Sequence, residues 1–259
     1  MTNLTQKRAY ITGGTSGIGR AIAEHFIEQG ARVVIADITD GTQVAKEIGA
    51  HYVSCNVANE QNVSDSLVQA TELLGGKLDI VVLNAGVGDV GFSFEETEQS
   101  LLEKVTKINQ WSVLYGLKHA PKNMNDGGSI INTSSMASVL NIPGTGVYSA
   151  GKRAILSMTE MSALELGSRN IRVNAVCPGY VNTPLGDSAE ERRFSELMTA
   201  LGRHGDPKTD IAPVYGFLAS QASQYVTGQY IKVDGGMDLG PTEKLLELVT
   251  GSVAAPGKK

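Results

Sequence analysis

The chain has 259 residues, of which 41% are hydrophobic and 30 are glycine, a composition typical of a globular protein with many tight turns. Its net charge is −5, from 22 basic and 27 acidic side chains, and no basic block is present. Nucleic acid is therefore not expected as a partner.

Short apolar runs alternate with longer amphipathic segments along the chain. Strands are predicted at 7–12, 32–36, 50–55, 78–83, 128–133, 170–176 and 230–233. Helices are predicted between them, including 17–29, 59–75, 98–120, 147–168 and 208–220. This alternation predicts an α/β fold of the doubly wound (Rossmann) type, a mostly parallel seven-stranded sheet with helices on both faces. No repeat or linker divides the chain, so a single domain over 1–259 is expected.

Neither membrane attachment nor a metal site is expected. No apolar run is long enough to span a membrane, and no charged-then-apolar leader follows Met1, so the sequence predicts no membrane contact. Cys55 and Cys177 lack metal-ligand spacing with each other or with a histidine. A reducing cytoplasm is the simplest setting for two such cysteines.

A glycine-rich turn, TGGTSGIG at 12–19, joins the first predicted strand to an amphipathic helix. Glycines at such a turn let the backbone approach a diphosphate closely, and the free amides at the helix N-terminus point at it. The spacing differs from the commoner G-x-G-x-x-G, so a structural turn before a core helix remains an alternative.

Asp37 ends the second predicted strand and lies 18 residues after Gly19. An acid near this offset accepts hydrogen bonds from the adenosine ribose hydroxyls of a dinucleotide. Its charge would repel the 2′-phosphate of NADP, and no basic residue stands at 14, 15 or 38 to compensate. The sequence therefore favours NAD, the alternative being an acid in an ordinary strand-end turn.

Tyr148 and Lys152 are four residues apart, which places both on one face of a helix. A cation held beside a phenol favours the phenolate. A tyrosine tuned in this way can take a proton from an alcohol or give one to a ketone. An incidental pair on a helix surface is the alternative.

With these features, several further segments resemble the short-chain dehydrogenase/reductase family, NAD-preferring type. The matching segments are TGGTSGIG at 12–19 for TGxxxGxG, NAG at 84–86, YSAGK at 148–152 for YxxxK, PGYVNT at 178–183 for PGxxxT, and VDGG at 233–236. Ser135 is chosen over Ser134 because it lies 13 residues before Tyr148, the family's usual gap. The resemblance covers about residues 5–238 and leaves a C-terminal extension at 240–259.

The resemblance implies an NAD-dependent oxidoreductase that transfers a hydride reversibly between a secondary alcohol and nicotinamide. Its catalytic residues would be Asn109, Ser135, Tyr148 and Lys152. Tyr148 would act as general base and acid, and Ser135 would bind the reacting oxygen. Lys152 would lower the pKa of Tyr148 and bind the nicotinamide ribose. Asn109 would hold a water that links the lysine to solvent.

The resemblance also implies a set of cofactor-binding residues. They are Gly13, Ser16, Gly17, Ile18, Gly19, Asp37, Ile38, Asn56, Val57, Asn84, Ala85, Gly86, Tyr148, Lys152, Pro178, Gly179, Val181 and Thr183. Asn56 stands where the family often has an aspartate, but its carbonyl can accept the same hydrogen bond from the adenine amine.

The substrate wall is predicted after the strand ends. Its residues are Ser135, Ala137, Asn141, Tyr148, Gly179, Tyr180 and Leu185. Polar Asn141 and Asp89 favour a polyol or another small hydroxylated substrate. The stretch 185–203 is charged, and it is either a lid in which Arg192 or Arg193 meets an anionic group or a solvated helix face.

Two other functions remain open. One is an NADPH-dependent reductase of ketones or 3-oxoacyl thioesters, which Asp37 disfavours. The other is a dinucleotide sensor without turnover, which has no need of a proton relay. By family resemblance a homotetramer is expected, and the extension, through Leu245, Leu246, Leu248 and Val249, is expected to pack on a neighbouring subunit, with a frayed end at 254–259.

Overall fold

The computed structural model describes residues 3–88, 90–186 and 188–251. Within these ranges seven strands form one sheet in the order β3-β2-β1-β4-β5-β6-β7, and every pairing is parallel. The strands are β1 Arg8–Thr12, β2 Arg32–Asp37, β3 His51–Ser54, β4 Leu78–Leu83, β5 Met124–Thr133, β6 Arg172–Pro178 and β7 Tyr230–Val233. The predicted doubly wound sheet is confirmed, and its described strands are entirely parallel.

Helices cover both faces of this sheet. They are α1 Gly17–Glu28, α2 Thr42–Ile48, α3 Glu60–Leu74, α4 Gln99–Thr106, α5 Ser112–His119, α6 Gly146–Leu166, α7 Ala189–Met198, α8 Ala212–Ala219 and α9 Glu243–Thr250. The prediction did not include α2, because seven residues give too short a periodic pattern to separate a helix from a loop.

The apolar runs of the strands fold this way because both of their faces are buried. Tyr10 and Val34 belong to a core cluster with residues of α3, α5 and α6. Their neighbours Ile11 and Ile35 belong to a second cluster with residues of α1 and α8. Successive strand side chains point to opposite faces, so continuous apolar runs suit a sheet covered on both sides.

The helix predicted at 98–120 is interrupted by a π-helical turn at Lys107–Trp111. Ser112 donates its hydroxyl hydrogen to the carbonyl of Ile108 at 2.6 Å. Asn109, within the turn, is fully buried. Single π-helical turns inside α-helices occur frequently at functional sites, and this one brings Asn109 next to the loop that follows β4.

The C-terminal extension forms α9 and rests on α7. The Thr242 hydroxyl donates to the carbonyl of Leu197 at the end of α7, while Leu246, Leu248 and Val249 are exposed. Packing of this helix on another subunit stays a prediction, and residues 254–259 lie outside the described ranges. In the described part of the chain no helix is both long enough and apolar enough to cross a membrane.

Candidate active site

A cavity of about 540 Å³ lies beyond the carboxyl ends of the strands. Most of the predicted site residues line it: Gly13, Ser16, Gly17, Ile18, Asp37, Ile38, Asn56, Val57, Asn84, Ala85, Gly86, Ser135, Ala137, Tyr148, Lys152, Pro178, Gly179, Tyr180, Val181, Thr183 and Leu185. Gly19, Asn109 and Asn141 are not part of this lining. The open sheet therefore places side chains from distant parts of the sequence around one crevice, as expected at a topological switch point.

The glycine turn is built so that backbone, not side chains, faces the cavity. Gly13 and Gly17 have φ of +67° and +52°, a region that favours glycine. A Cβ on Gly19 would lie 2.0 Å from the Gly13 carbonyl oxygen, so Gly19 closes the turn from behind. Ser16 caps α1 without any side-chain hydrogen bond to the helix, which leaves the first-turn amides open to an anion.

Asn84 fastens the ends of three strands around this turn. Its side-chain amide donates to the Thr12 carbonyl at 3.1 Å, and its oxygen accepts the Thr133 hydroxyl hydrogen at 3.2 Å. Tyr215 lies 2.7 Å from the same hydroxyl. An amide oxygen can only accept, so the single hydrogen of Thr133 goes to Asn84 and Tyr215 must be the donor to Thr133.

Asp37 lies beside the glycine turn with its carboxylate oriented by three donors. One oxygen accepts from the Thr15 amide at 3.2 Å and the Thr15 hydroxyl at 2.7 Å, and the other accepts from the Thr39 amide at 3.1 Å. Asn56, at the same end of the cavity, accepts the amide hydrogen of Ala58 at 3.0 Å through its side-chain oxygen. A second lone pair of that oxygen remains for a ligand.

Ser135 and Tyr148 meet at the other end of the cavity. Ser135 accepts a hydrogen bond from the Ala137 amide at 3.1 Å, and its side chain interacts with the Tyr148 phenol, which favours a lower pKa of that phenol. Ser134 is buried and turns away, since its hydroxyl donates to the Lys152 carbonyl at 2.8 Å. The structure thus places Ser135, and not Ser134, against the phenol.

Lys152 lies one helical turn beyond Tyr148 and is buried. Its ammonium donates to the Thr133 carbonyl at 3.0 Å and lies 5.8 Å from the centre of the Tyr148 ring. Burial lowers the pKa of Lys152 to about 8. At pH 7 the group is therefore mainly an ammonium, held beside the Tyr148 ring by the carbonyl at the end of β5.

The pKa of Tyr148 was predicted to be lowered, but without a bound cofactor the protein raises it. Burial raises the pKa of Tyr148, and the hydrogen bond from Ser135 offsets this only in part. The physical reason is that loss of water disfavours the phenolate, while Lys152 is bonded to the Thr133 carbonyl and lies over the ring.

Asn109 contacts the loop after β4 through both ends of its amide. Its oxygen accepts from the Val87 amide and its nitrogen donates to the Val87 carbonyl, both at 2.8 Å. A Cβ on Gly86 would lie 3.0 Å from the Asn109 oxygen and 3.3 Å from the Lys152 nitrogen. Asn109 is thus close to Lys152 but behind the cavity wall, and a water held by it stays a prediction.

Comparison with known proteins shows to which family the chain belongs. A family model described as "Enoyl-(Acyl carrier protein) reductase" matches residues 13–238. A solved short-chain type dehydrogenase/reductase from Mycobacterium marinum has a TM-score of 0.87 and 35% sequence identity, covering 92% of this chain and 98% of that one. The chain belongs to the short-chain dehydrogenase/reductase family.

Two named relatives illustrate how far this likeness extends. Momilactone A synthase from Oryza sativa subsp. japonica is 39% identical over 91% of each chain. The NADP-dependent (R)-specific alcohol dehydrogenase of Lentilactobacillus kefiri is also 39% identical, over 90% of this chain and 97% of its own. This short-chain dehydrogenase/reductase is an oxidoreductase of a family that uses a nicotinamide cofactor, NAD or NADP.

The cavity wall of this short-chain dehydrogenase/reductase is more apolar than predicted. Apolar side chains that line the cavity include Val87, Val90, Ile108, Ile142 and Met237. Sequence reasoning missed Val87, Ile108 and Met237, which no motif marks and which lie far apart in the chain.

The structure does not bring Asn141 into the cavity lining. Asn141 is exposed, and the next residue, Ile142, lines the cavity instead. Asp89, the other polar residue used to favour a hydroxylated substrate, lies outside the described residues. The polar character expected of this wall therefore loses its support.

The charged stretch after Thr183 includes the lid candidate α7. Arg192 and Arg193 are exposed and are not part of the cavity lining, so the structure does not place either where an anionic substrate group would meet it. The residue of α7 that lines the cavity is Glu191, which has the opposite charge. On the same side, the Tyr180 ring packs edge-on against the rings of Phe194 and His204, with ring centres 5.6 Å and 5.8 Å apart.

Replacing Lys152 by methionine should stabilise this short-chain dehydrogenase/reductase at pH 7. A lysine pKa of about 8 instead of 10.5 corresponds to about 3 kcal/mol of destabilisation by the buried charge. Removing the charge should therefore stabilise the fold, and loss of the hydrogen bond to Thr133 offsets about 1 kcal/mol of that stabilisation. We therefore expect Lys152→Met to raise the free energy of unfolding by about 2 kcal/mol, measured by denaturant titration.

The pH dependence of that gain has a defined sign. Below about pH 8 the folded and unfolded chains both hold the Lys152 proton, so the full cost is present. Between about 8 and 10.5 the unfolded chain binds more protons, so the wild type regains stability as the pH rises. The advantage of Lys152→Met should therefore be smaller at pH 9.5 than at pH 7. An exposed control, Lys46→Met, should show no comparable change, and destabilisation by Lys152→Met at pH 7 would contradict the argument.

Proposed function

We propose that this protein is an NAD-dependent dehydrogenase that oxidises a secondary alcohol reversibly, with Tyr148 as general base and acid. One observation carries the proposal. Ser135, Tyr148 and the buried Lys152 line the same cavity as Asp37, and the Lys152 ammonium lies 5.8 Å from the centre of the Tyr148 ring. A proton-transfer group and a dinucleotide-type cradle in one crevice are what alcohol oxidation by hydride transfer needs.

The residues present fit a dinucleotide. The glycine turn leaves its backbone facing the cavity, and the uncapped first turn of α1 offers amides to a diphosphate. In this proposal the cofactor is held by the predicted set from Gly13 to Thr183, with Asp37 at the adenosine ribose and with Val181 and Thr183 at the carboxamide. A bound oxidised nicotinamide would supply the hydride acceptor and a positive charge in the cavity.

The side chains of the chain then have separate tasks. Tyr148 takes the proton from the alcohol oxygen, and Ser135 donates a hydrogen bond to the carbonyl oxygen as it develops. Ser135 is oriented for this by the Ala137 amide. Because burial by itself raises the pKa of Tyr148, the phenolate depends on positive charge gathered beside it, of which Lys152 supplies the protein's share.

The apolar side chains of the cavity wall favour a substrate whose carbon frame is largely unsubstituted over a polyol, which carries a hydroxyl on most carbons. Val87, Val90, Ile142 and Met237 line the cavity that holds Tyr148, and burying an unpaired hydroxyl against such side chains is costly. Of the substrates considered from the sequence, we therefore propose a small hydroxylated compound with an apolar body.

The most direct test is a substrate screen with NAD in which the absorbance of the reduced cofactor is the readout. We expect turnover with secondary alcohols of compact apolar frame and slower turnover with open-chain polyols. Turnover of ketones with NADPH only would favour the reductase alternative, which the name of the Lentilactobacillus kefiri relative brings into consideration. Cofactor binding without any turnover would favour a sensor.

The setting and the assembly of the protein stay predictions. A cytoplasmic location rests on the cysteine content and a homotetramer rests on family resemblance. A 3-oxoacyl thioester bound to a carrier protein is disfavoured because the chain has no basic block to receive an acidic partner.

A further inference from the structure

Glu191 is a charged side chain fixed in the cavity wall near Tyr180. It lies in the first turn of α7, where its carboxylate accepts from the Ser188 amide at 2.9 Å while the Ser188 hydroxyl accepts from the Glu191 amide at 3.1 Å. This reciprocal capping box holds one carboxylate oxygen in place. The other oxygen lies 3.3 Å from where a Cβ on Gly186 would stand. A side chain at 186 would therefore press on the carboxylate, and glycine leaves it room.

The surroundings of Glu191 make its charge selective. The charged side chains that line the described part of the cavity are Asp37, Lys152 and Glu191. Asp37 lies beside the glycine turn, and the Lys152 ammonium is bonded to the Thr133 carbonyl next to the Tyr148 ring. The neighbouring Arg192 and Arg193 are exposed and outside the lining.

The effect of Glu191 on Tyr180 shows that the Glu191 charge acts on groups in the cavity wall. Burial raises the pKa of Tyr180 first, and the negative charge of Glu191 raises it further. The carboxylate thus changes the electrostatic environment of a second polar group in the cavity wall. The ring of Tyr180 packs against Phe194 and His204, so a phenol and a carboxylate lie near each other in the cavity wall.

We propose that Glu191 sets substrate specificity by accepting a hydrogen bond from a second hydroxyl or amino group on the substrate, remote from the carbon that is oxidised. The same carboxylate rejects substrates with an anionic group at that place, because like charges repel. The proposal deepens the proposed function and rests on it.

The test compares four secondary alcohols of one ring size: a plain cycloalkanol, the corresponding diol, the amino alcohol and the hydroxy acid. The kcat/KM of each is measured with NAD. A hydrogen bond to a charged group discriminates by roughly ten- to hundredfold. We expect the amino alcohol and the diol to exceed the cycloalkanol by about tenfold or more, and the hydroxy acid to fall below it by a similar factor.

Glu191→Gln is the informative variant, because glutamine also serves in a capping box and keeps α7 in place while the charge is lost. It should lower kcat/KM for the amino alcohol by about tenfold, raise it for the hydroxy acid by about tenfold, and leave the cycloalkanol within about twofold. Glu190→Gln is the matched control, since Glu190 is the preceding residue, is exposed and does not line the cavity. It should leave all four values within about twofold.

The outcomes separate the two proposals. Turnover of the series with ratios that Glu191→Gln does not change overturns the role of Glu191 and leaves the proposed function standing. An equal change in Glu190→Gln shows a general charge effect and also overturns it. So does a loss of NADH affinity in Glu191→Gln, measured by fluorescence titration, since it would place the carboxylate at the cofactor. No turnover of any member by the wild type with NAD removes the proposed function and this inference with it.

Discussion

Tyr148→Phe should lower kcat by about 10²–10⁴-fold, the usual contribution of a positioned general acid or base. The variant keeps the ring over which the Lys152 ammonium lies and loses only the oxygen that Ser135 contacts. NADH affinity should therefore stay within about twofold of the wild type. Steady-state kinetics with the best alcohol of the screen gives the first value, and fluorescence titration gives the second.

A matched control separates loss of the base from loss of any phenol. Tyr115 is half-buried on α5 and does not line the cavity, so Tyr115→Phe should keep kcat within about twofold. If Tyr148→Phe retained a tenth or more of wild-type kcat, tyrosine would not be the base. If it lost turnover together with NADH binding, the effect would lie in the cofactor site and the assignment would again be wrong.

The second large effect is expected at Asp37. The wild type should bind NADH about 10²-fold more tightly than NADPH. The Asp37 carboxylate is oriented by Thr15 and Thr39, and a 2′-phosphate beside it would be repelled. At about 4 Å and an effective dielectric constant of about 20, one pair of unit charges costs about 4 kcal/mol, of which salt screening leaves enough for a hundredfold preference.

Asp37→Asn keeps the shape of the side chain and removes its charge. We expect it to reduce the NADH-over-NADPH ratio by about tenfold or more, measured by fluorescence titration of both cofactors. Asp40→Asn changes the same charge three residues away on an exposed side chain that bonds Thr42, and the ratio should then stay within about twofold. Equal affinity of the wild type for both cofactors would overturn the argument from Asp37.

Much of the fold could be predicted because strands and tight turns depend on residues that are close together in the chain. The buried strands appear as short apolar runs, and β1, β2, β3, β4 and β7 were predicted to within one residue at each end. β5 begins four residues before its predicted start, because Met124 pairs with Leu78 at the start of β4, ahead of an irregularity in the register. A pairing of that kind cannot be read from local propensity.

The sequence by itself also determined which residues gather at the sheet edge, because parallel strands bring their carboxyl ends to one side whatever fills the core. Gly13, Asp37, Asn84 and Ser135 each follow a strand or end one, and all of them line the cavity. The spacing from Tyr148 was enough to choose Ser135 over Ser134, and the hydroxyl contacts of the two serines agree with that choice.

Only the tertiary structure decided what surrounds each of these groups. The pKa of Tyr148 is raised and that of Lys152 is lowered by burial, a quantity set by atoms from many distant segments. Ile142 takes the place in the wall that was predicted for Asn141, and Glu191 faces the cavity where Arg192 and Arg193 were considered. A helix turn or loop rotation of one residue exchanges an inward side chain for an outward one, so sequence gives the composition of such a segment but not the charge that its fold presents to a substrate.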